Sequence, residues 1–375
     1  MFRLNDKNRH CLPLKLCMWL AILSVLFTYS ARGLEQDKSN EDPDWLRVES
    51  FSMPKYSAYL SIETVAGLQE QERLMNAARA QCNPNTQESA ADIRACEAKM
   101  YAVIMPKALE RFAVNIEAKT IAGVQTDVIT PKAGISAKNE QRVLINLHGG
   151  GFKYGGRFGG QLESMPIAEY FGIKVVTIDY RKAPEHRFPA ALTDVKLVYQ
   201  ALLKQYPSDN IGFFGCSAGS RVSGQAIAHL ASHSLPGPGA AAFLCSAPTA
   251  LDGDSNYYAA AMQGRQPLSI DGVEYWEGLS TDNQAAFPGD FSEQLAAFPP
   301  SLLITSTRDY SLSPMVAMHR KLVNLDIPAQ LHIFEGFTHA QFMSMYVPEA
   351  RETTKIMSEF FDRFLGQAPL SAVND

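Results

Sequence analysis

His148 is followed by Gly149, Gly150 and Gly151, and this run predicts chemistry more directly than any other pattern in the 375-residue chain. Consecutive glycines let a backbone approach a ligand closely, with its N–H groups free of obstruction by side chains. N–H groups directed into a cleft stabilise the negative charge that forms on an oxygen when a nucleophile attacks a carbonyl. The run therefore predicts an anion-stabilising loop and requires a nucleophile further along the chain.

Ser217 meets that requirement, because it lies at the centre of the pentapeptide GCSAG at residues 215–219. An apolar run, residues 211–214, precedes the pentapeptide and a helical pattern follows it. A serine between two glycines in a tight strand-to-helix turn is exposed at the top of a sheet, where it can act as a nucleophile. We therefore predict that Ser217 is the nucleophile.

A serine nucleophile needs a base and an acid that orients the base, and in this chain order the acid is expected before the base. Asp309 follows the apolar run at residues 301–306, and His339 lies in the loop after the apolar run at 330–334. Ends of neighbouring strands are close enough for Asp309 to orient His339, which then takes the proton of Ser217. Glu335 is a competing carboxylate, but its position almost on the histidine loop favours a structural role.

The segments that carry these residues alternate between strand and helix patterns. We predict strands at residues 143–147, 174–178, 211–214, 241–246, 301–306 and 330–334, and helices at 192–205, 218–231, 314–324 and 349–364. Alternation of this kind predicts an α/β fold with a mostly parallel sheet, flanked by helices, and a site at the carboxyl ends of the strands. Residues 61–118 instead show helical spacing only.

Together these motifs resemble the hormone-sensitive-lipase-like family of α/β-hydrolases, whose bacterial members are carboxylesterases. The resemblance covers about two-thirds of the chain, from about residue 121 to about residue 365. Besides the glycine run and the serine pentapeptide, it includes Asp179-Tyr180-Arg181, Ala183-Pro184-Glu185-His186, Phe188-Pro189-Ala190-Ala191, Asp309 and the loop from Gly336 to His339.

The resemblance implies roles for further residues. The backbone N–H groups of Gly150, Gly151 and Ala218 would form an oxyanion hole. His148 and Gly149 would shape the loop, with support from Asp179 and Arg181. The implied reaction is hydrolysis of a small-molecule carboxylic ester through an acyl-enzyme, with short to medium acyl chains and no cofactor.

The resemblance also implies a helical cap formed by the N-terminal segment and an insertion. We therefore divide the chain into a leader (1–33), a linker with N-terminal cap helices (34–118), an α/β-hydrolase domain (119–366) and a tail (367–375). Residues 252–295 are the expected insertion. Tyr257, Tyr258, Tyr275 and Trp276 lie within it, either lining a substrate pocket or forming the core of the cap.

Two departures from the family pattern adjoin the nucleophile. Position 216 is a cysteine where the family usually has an aspartate, so a supporting carboxylate is missing there. Ser220 and Arg221 replace the small residue and asparagine that are common just after the nucleophile. These changes affect the surroundings of the site and leave its catalytic groups in place. A side chain next to the nucleophile points away from the cleft, which disfavours Cys216 as a nucleophile.

Composition excludes several other classes of protein. The chain has 46% hydrophobic and 10% aromatic residues, enough to bury a large core. Its formal net charge is −5 and no run of Lys or Arg is prominent, which disfavours a nucleic-acid partner. His229 and His233 have a spacing used by zinc ligands, but no convincing third ligand accompanies them, so we predict no metal site.

The N-terminus has the order of regions typical of a secretory signal peptide. Basic residues precede twelve apolar or small residues at 16–27, and small residues follow at a possible cleavage site, Ala31-Arg32-Gly33. Twelve residues are fewer than the roughly 20 needed to span a bilayer. We therefore expect export to the periplasm or medium with cleavage of the leader and no stable membrane span. A retained N-terminal membrane anchor is the alternative.

Cysteine usage is compatible with export. Removal of the leader would leave Cys82, Cys96, Cys216 and Cys245. Cys82 and Cys96 bracket a polar stretch within a helical region, and a disulfide between them could form in an oxidising compartment. The alternative is two thiols of a helical hairpin that never meet.

Other functions of the same fold remain alternatives to an esterase. A lipase acting at interfaces, an amidase or arylformamidase would use the same three residues, Ser217, Asp309 and His339. A ligand-binding protein without catalysis is a further alternative, which the presence of His339 disfavours.

Overall fold

The computed structural model describes residue 46 and residues 52–83, 89–250 and 253–366. The chain divides into two units, residues 1–55 and 56–375, and the description that follows concerns the second. The predicted leader, most of the linker that follows it and the tail at 367–375 lie outside the described residues. None of the described helices combines the length and the apolar character needed to cross a membrane.

The described strands form one eight-stranded sheet in the order β1-β2-β4-β3-β5-β6-β7-β8. Strands β3 to β8 are parallel to their neighbours, whereas β1 and β2 pair antiparallel with each other and β2 pairs antiparallel with β4. The strands are β1 (Val114–Ile121), β2 (Val124–Pro131), β3 (Val143–Leu147), β4 (Lys174–Ile178), β5 (Ile211–Cys216), β6 (Ala240–Leu244), β7 (Ser301–Ser306) and β8 (Ala329–Phe334).

Helices cover both faces of this sheet, so its central strands are apolar on both sides. Alternate residues of β3 belong to different cores: Val143 and Ile145 pack on one face and Leu144 on the other. The described helices are α1 (Ile62–Gln81), α2 (Ala90–Arg111), α3 (Gly156–Phe171), α4 (Ala190–Leu202), α5 (Ala218–Ser232), α6 (Asp254–Met262), α7 (Ser292–Leu295), α8 (Leu312–Asn324) and α9 (Pro348–Phe364). The predicted fold class, a mostly parallel sheet flanked by helices, is confirmed.

The β1–β2 hairpin was not predicted, because β1 is an edge strand that is exposed along most of its length and lacks an apolar face. Strand β1 begins at Val114, so the sheet starts before residue 119, where we had placed the boundary of the hydrolase domain.

Helix α3 was also not predicted, because it contains three glycines and Pro166. Gly160 allows close packing there: a Cβ at this position would lie 2.1 Å from Thr177 Oγ1 on β4.

Helices α1 and α2 form the N-terminal pair expected from the sequence. Each is capped by a serine that accepts a backbone hydrogen bond from the first turn, Ser61 from Thr64 and Ser89 from Asp92. Between β6 and β7, the expected insertion contains α6, α7 and three short 3-10 turns.

A disulfide connects the two helices of this pair. The sulfurs of Cys82 and Cys96 are 2.10 Å apart and their Cα atoms 5.3 Å apart, which is disulfide geometry. The bond connects the residue after α1 to the interior of α2.

Candidate active site

Ser217 lies in the sharp turn between β5 and α5, and its backbone has a positive φ of 57°. The flanking glycines make this turn sterically possible. A Cβ at Gly215 would lie 2.4 Å from the carbonyl oxygen of Leu147, and a Cβ at Gly219 would lie 1.7 Å from the same atom. No side chain fits at either position, so the strand and helix approach closely and expose the serine at the carboxyl edge of the sheet.

The structure brings together the three residues predicted to act as nucleophile, base and acid. His339 Nε2 lies 2.8 Å from Ser217 Oγ, and His339 Nδ1 lies 2.9 Å from Asp309 Oδ1. Asp309 follows β7 and is fully buried, whereas the His339 side chain is 22% exposed. A carboxylate that accepts a hydrogen bond from Nδ1–H fixes the tautomer in which Nε2 can accept a proton from serine.

Glu335 does not take part in this arrangement. Its carboxylate accepts a hydrogen bond of 2.9 Å from the Ser57 hydroxyl on the protein surface. This contact agrees with the structural role suggested by its position in the sequence.

Tyr310 is a residue of the site that the sequence did not reveal. Its hydroxyl lies 3.0 Å from His339 Nε2, and its ring stacks on the imidazole with 4.3 Å between centroids. Burial is the main cause that raises the pKa of Tyr310, so the phenol keeps its proton at neutral pH. Its position directly after Asp309, at the carboxyl end of β7, is the signal that could have identified it.

The glycine run forms a turn at the carboxyl end of β3, beside Ser217. Gly150 and Gly151 have φ values of +115° and +58°, and a Cβ at Gly150 would lie 2.5 Å from the Tyr154 carbonyl. Within the described chain, the backbone N–H groups of Gly150, Gly151 and Ala218 bond to no acceptor. Three such groups near one serine can stabilise an oxyanion.

His148 holds the start of this turn and is itself fully buried. Its Nδ1 lies 2.7 Å from the Gly149 carbonyl oxygen, and its ring stacks on Tyr180 at 4.3 Å. The Tyr180 hydroxyl donates to the His148 carbonyl oxygen at 2.6 Å. Burial, the largest cause, lowers the pKa of His148 to about 4, so the imidazole is neutral at physiological pH.

Only one of the two supports suggested by the resemblance lies near the turn. Asp179 Oδ1 is 3.8 Å from His148 Nε2 and also pairs with Lys182. Arg181 instead binds Asp194 of α4 at 2.9 Å, so the structure does not bring it to the glycine run. Arg181 therefore fixes the segment that follows β4 against helix α4.

A carboxylate does lie beneath the glycine turn, but it comes from α3. Glu163 is half-buried; its Oε1 accepts from the Gly149 N–H at 2.8 Å and its Oε2 from Asn146 Nδ2 at 2.9 Å. Burial raises the pKa of Glu163 to about 7, against the effect of these bonds and of the Cys216 backbone N–H. Glu163 thus contacts both the turn and the residue before the nucleophile.

Cys216 forms a disulfide with Cys245, which immediately follows β6. Its side chain is buried beneath the sheet edge, with its sulfur bonded, so it is not available as a nucleophile. The bond links the strand end that carries Ser217 to the neighbouring strand end.

The other departure, at positions 220 and 221, binds the start of α5 to the segment that follows β6. Ser220 donates to the Ser246 carbonyl oxygen, and Arg221 donates to Ser246 Oγ at 2.9 Å and to the Thr249 carbonyl oxygen. The Arg221 guanidinium also lies over the Trp276 ring at 5.1 Å. Burial lowers the pKa of Arg221 to about 10.

The aromatic residues of the insertion fall into two groups. Tyr275 and Trp276 are fully buried, and Tyr275 stacks on Phe152, the residue after the glycine run, at 4.3 Å. These two residues form part of the core of the insertion, next to the residue that follows the glycine run. Tyr257 and Tyr258 remain partly exposed.

Among the residues that the structure describes, no third metal-ligating side chain accompanies His229 of α5 and His233 directly after it. His233 Nδ1 lies 2.8 Å from the His229 carbonyl oxygen at the end of the helix. Within the described part of the chain, no three His, Cys, Asp or Glu side chains are grouped to hold a metal ion.

A family model for the alpha/beta hydrolase fold matches residues 144–343, which include the glycine run, Ser217, Asp309 and His339. The chain belongs to the α/β-hydrolase fold family. The α/β-hydrolase family expected from the motifs is thereby confirmed.

Individual relatives are distant from this α/β-hydrolase. An acetyl-hydrolase of Streptomyces hygroscopicus is 25% identical over 62% of this chain and 79% of its own length. A crystallised esterase is 24% identical, with a TM-score of 0.73 over 86% of this chain and 99% of its own. An esterase from the bacterial hormone-sensitive lipase family is 23% identical, with a TM-score of 0.68 over 80% of this chain and 99% of its own.

Proposed function

We propose that this protein is a serine carboxylesterase that acts through an acyl-enzyme on Ser217. The family match and the relatives named as esterase and acetyl-hydrolase identify it as a carboxylic ester hydrolase. What carries the proposed mechanism is the hydrogen-bond chain from Ser217 through His339 to Asp309, next to unpaired backbone N–H groups.

In the first half of the reaction, Ser217 Oγ attacks the ester carbonyl while its proton passes to His339 Nε2. The carbonyl oxygen becomes an oxyanion, which the N–H groups of Gly150, Gly151 and Ala218 stabilise. Asp309 stabilises the imidazolium without taking its proton. The carbon–oxygen bond then breaks, the alcohol oxygen receives the proton from Nε2, and the acyl group stays on Ser217.

In the second half, water takes the place of the alcohol. It loses a proton to His339 Nε2 and attacks the acyl carbonyl. This forms a second oxyanion, which the same backbone N–H groups stabilise. Collapse of this intermediate releases the carboxylic acid and returns the proton to Ser217 Oγ.

Replacement of the nucleophile tests this mechanism. Ser217→Ala is expected to fold normally and to lose at least ~10³-fold in kcat for p-nitrophenyl butyrate. Ser232→Ala removes a hydroxyl that bonds the His229 carbonyl at the far end of the same helix, so it is the matched control and should keep full activity. An active Ser217→Ala variant would contradict the assignment.

We further propose short- to medium-chain acyl esters as substrates. The acetyl-hydrolase relative, which matches most of its own length, supports a small acyl group. Rates on p-nitrophenyl esters with C2–C6 and with C12–C18 acyl chains test this choice. Faster hydrolysis of the long chains would favour a lipase, and hydrolysis of matching anilides at comparable rates would favour an amidase.

We also propose that the protein works in an oxidising compartment outside the cytoplasm. Two disulfides among the described residues, Cys82–Cys96 and Cys216–Cys245, support this location, since such bonds persist mainly in oxidising environments. The signal-peptide pattern at the N-terminus supports it independently. Fractionation of cells that express the full chain tests it, and recovery of the protein from the cytoplasm with free thiols would contradict it.

A further inference from the structure

The second hydroxyl at the catalytic histidine belongs to Tyr310. Its oxygen is 3.0 Å from His339 Nε2, nearly as close as Ser217 Oγ at 2.8 Å. The proposed acyl-transfer cycle uses only the serine. The tyrosine ring is held in place by stacking on the imidazole, with 26° between the two planes.

The protons at the imidazole limit what this hydroxyl can do. His339 Nδ1–H donates to Asp309, so Nε2 carries one lone pair in the free enzyme. Two hydroxyl groups within reach of one lone pair cannot both donate to it. The Tyr310 hydrogen is therefore not taken by Nε2 whenever Ser217 bonds there, and the Ser217 hydroxyl is the other group within its reach.

The position of the tyrosine oxygen is chemically specific. A leaving alcohol must come within hydrogen-bond distance of Nε2 to receive its proton, and so must the water that replaces it. The Tyr310 hydroxyl, 3.0 Å from Nε2, lies next to the position that the leaving oxygen must occupy. The oxyanion N–H groups bind the carbonyl oxygen, so they do not serve the leaving oxygen.

We propose that Tyr310 is a catalytic residue that donates a hydrogen bond to the leaving-group oxygen during acylation. As the ester carbon–oxygen bond breaks, its electron pair moves to the alkoxy oxygen. The proton on that oxygen comes from His339 Nε2, and Tyr310 keeps its own proton throughout. The inference rests on the proposed acyl-enzyme mechanism and deepens it by naming the substrates that need this contact.

Those substrates are esters of alcohols that are poor leaving groups. An alkoxide gathers nearly full negative charge before it is protonated, so an additional donor lowers its barrier considerably. A p-nitrophenolate spreads its charge over the ring and leaves readily without help. The structure thus favours aliphatic alcohol esters over activated aryl esters as the substrates to which this site is adapted.

A series of butyrate esters with ethyl, trifluoroethyl, phenyl and p-nitrophenyl leaving groups tests the proposal, with kcat/KM as the measure of acylation. Tyr310→Phe keeps the stacked ring and removes only the hydroxyl. We expect kcat/KM to fall about 10- to 100-fold for the ethyl ester and less than about 3-fold for the p-nitrophenyl ester. The dependence of the rate on leaving-group pKa should become steeper in the variant.

Tyr199→Phe is the matched control, because it removes the hydroxyl of a buried tyrosine in the core on α4. It should leave all four rates unchanged. An equal loss for every leaving group, which a merely structural Tyr310 would produce, would overturn the proposal, and so would no loss at all. Failure of the proposed esterase function would be recognised separately, since wild type would then hydrolyse none of the esters or Ser217→Ala would remain active.

Discussion

Glu163 is expected to control the alignment of the oxyanion loop, and replacing it with alanine tests this. The substitution leaves two donors without an acceptor, Nδ2 of the buried Asn146 and the N–H of the half-buried Gly149. An unsatisfied buried donor costs about 1–3 kcal/mol and a partly exposed one less, so the free energy of unfolding should fall by about 1–4 kcal/mol. Glu163→Gln keeps one acceptor oxygen and should lose about half as much.

The same change should slow the reaction. Gly149 precedes the two glycines whose N–H groups we propose stabilise the oxyanion, and loss of one oxyanion donor costs about 10²–10³ in kcat. Because the donors would be displaced rather than removed, we expect kcat for p-nitrophenyl butyrate to fall about 10- to 100-fold in Glu163→Ala. Wild-type kcat in a folded Glu163→Ala protein would refute this reasoning.

The pH dependence of stability provides a second measurement on the same residue. Burial raises the pKa of Glu163 from 4.5 to about 7, so the unfolded chain ionises this group at lower pH than the folded protein. The carboxyl group therefore favours unfolding increasingly as pH rises from 4.5 to 7. Relative to Glu163→Gln, wild type should lose about 2–3 kcal/mol of unfolding free energy between pH 5 and pH 8. Parallel curves for the two proteins in urea titrations would contradict the shift.

Glu169 on the same helix supplies the control for these variants. Its carboxylate also accepts one backbone N–H, that of Ala113 at 3.0 Å, but it does so on the protein surface and away from the site. Glu169→Gln should keep wild-type kcat.

Two further predictions concern stability. Breaking the Cys82–Cys96 bond with a double serine variant should lower the free energy of unfolding by about 3 kcal/mol, because a loop of this size is closed in the unfolded chain; an unchanged melting temperature would contradict it. The lowered pKa of His148, about 4, means that the unfolded chain takes up a proton first as pH falls below 6.5. Between pH 7 and pH 5, the free energy of unfolding of the wild type should therefore fall by about 2 kcal/mol more than that of His148→Asn, as measured by urea unfolding. An equal fall in the two proteins would contradict this prediction.

The central sheet could be predicted closely from the sequence. Strands β3, β4 and β7 have the predicted bounds, because they are buried on both faces and appear as uninterrupted apolar runs. The rule that parallel strands carry functional residues at their carboxyl ends then leads to Ser217, Asp309 and His339, which the structure brings into one hydrogen-bonded chain.

The roles of residues that lie on helix α3, or that act through contacts between different elements, could not be predicted in this way. Glu163 lies on a helix whose glycines and proline conceal its pattern, and its partners are a backbone N–H and an asparagine on other elements. Tyr310 is an ordinary aromatic residue until its ring is seen against His339. The pairing of Cys216 with Cys245 requires knowing that β5 and β6 are neighbours.

Helix α2 touches the segment that follows the glycine turn, and this contact bears on attempts to exchange the cap. Glu97 accepts the Gly155 N–H at 3.3 Å, and Arg94 pairs with Glu185 and reaches the Lys153 carbonyl oxygen. In this protein helix α2 therefore supports the segment that follows the glycine turn. A chimera that borrows the helical cap of another hydrolase to change its substrate range must also borrow, or rebuild, the carboxylate that holds Gly155, or the loop will lose its outer support.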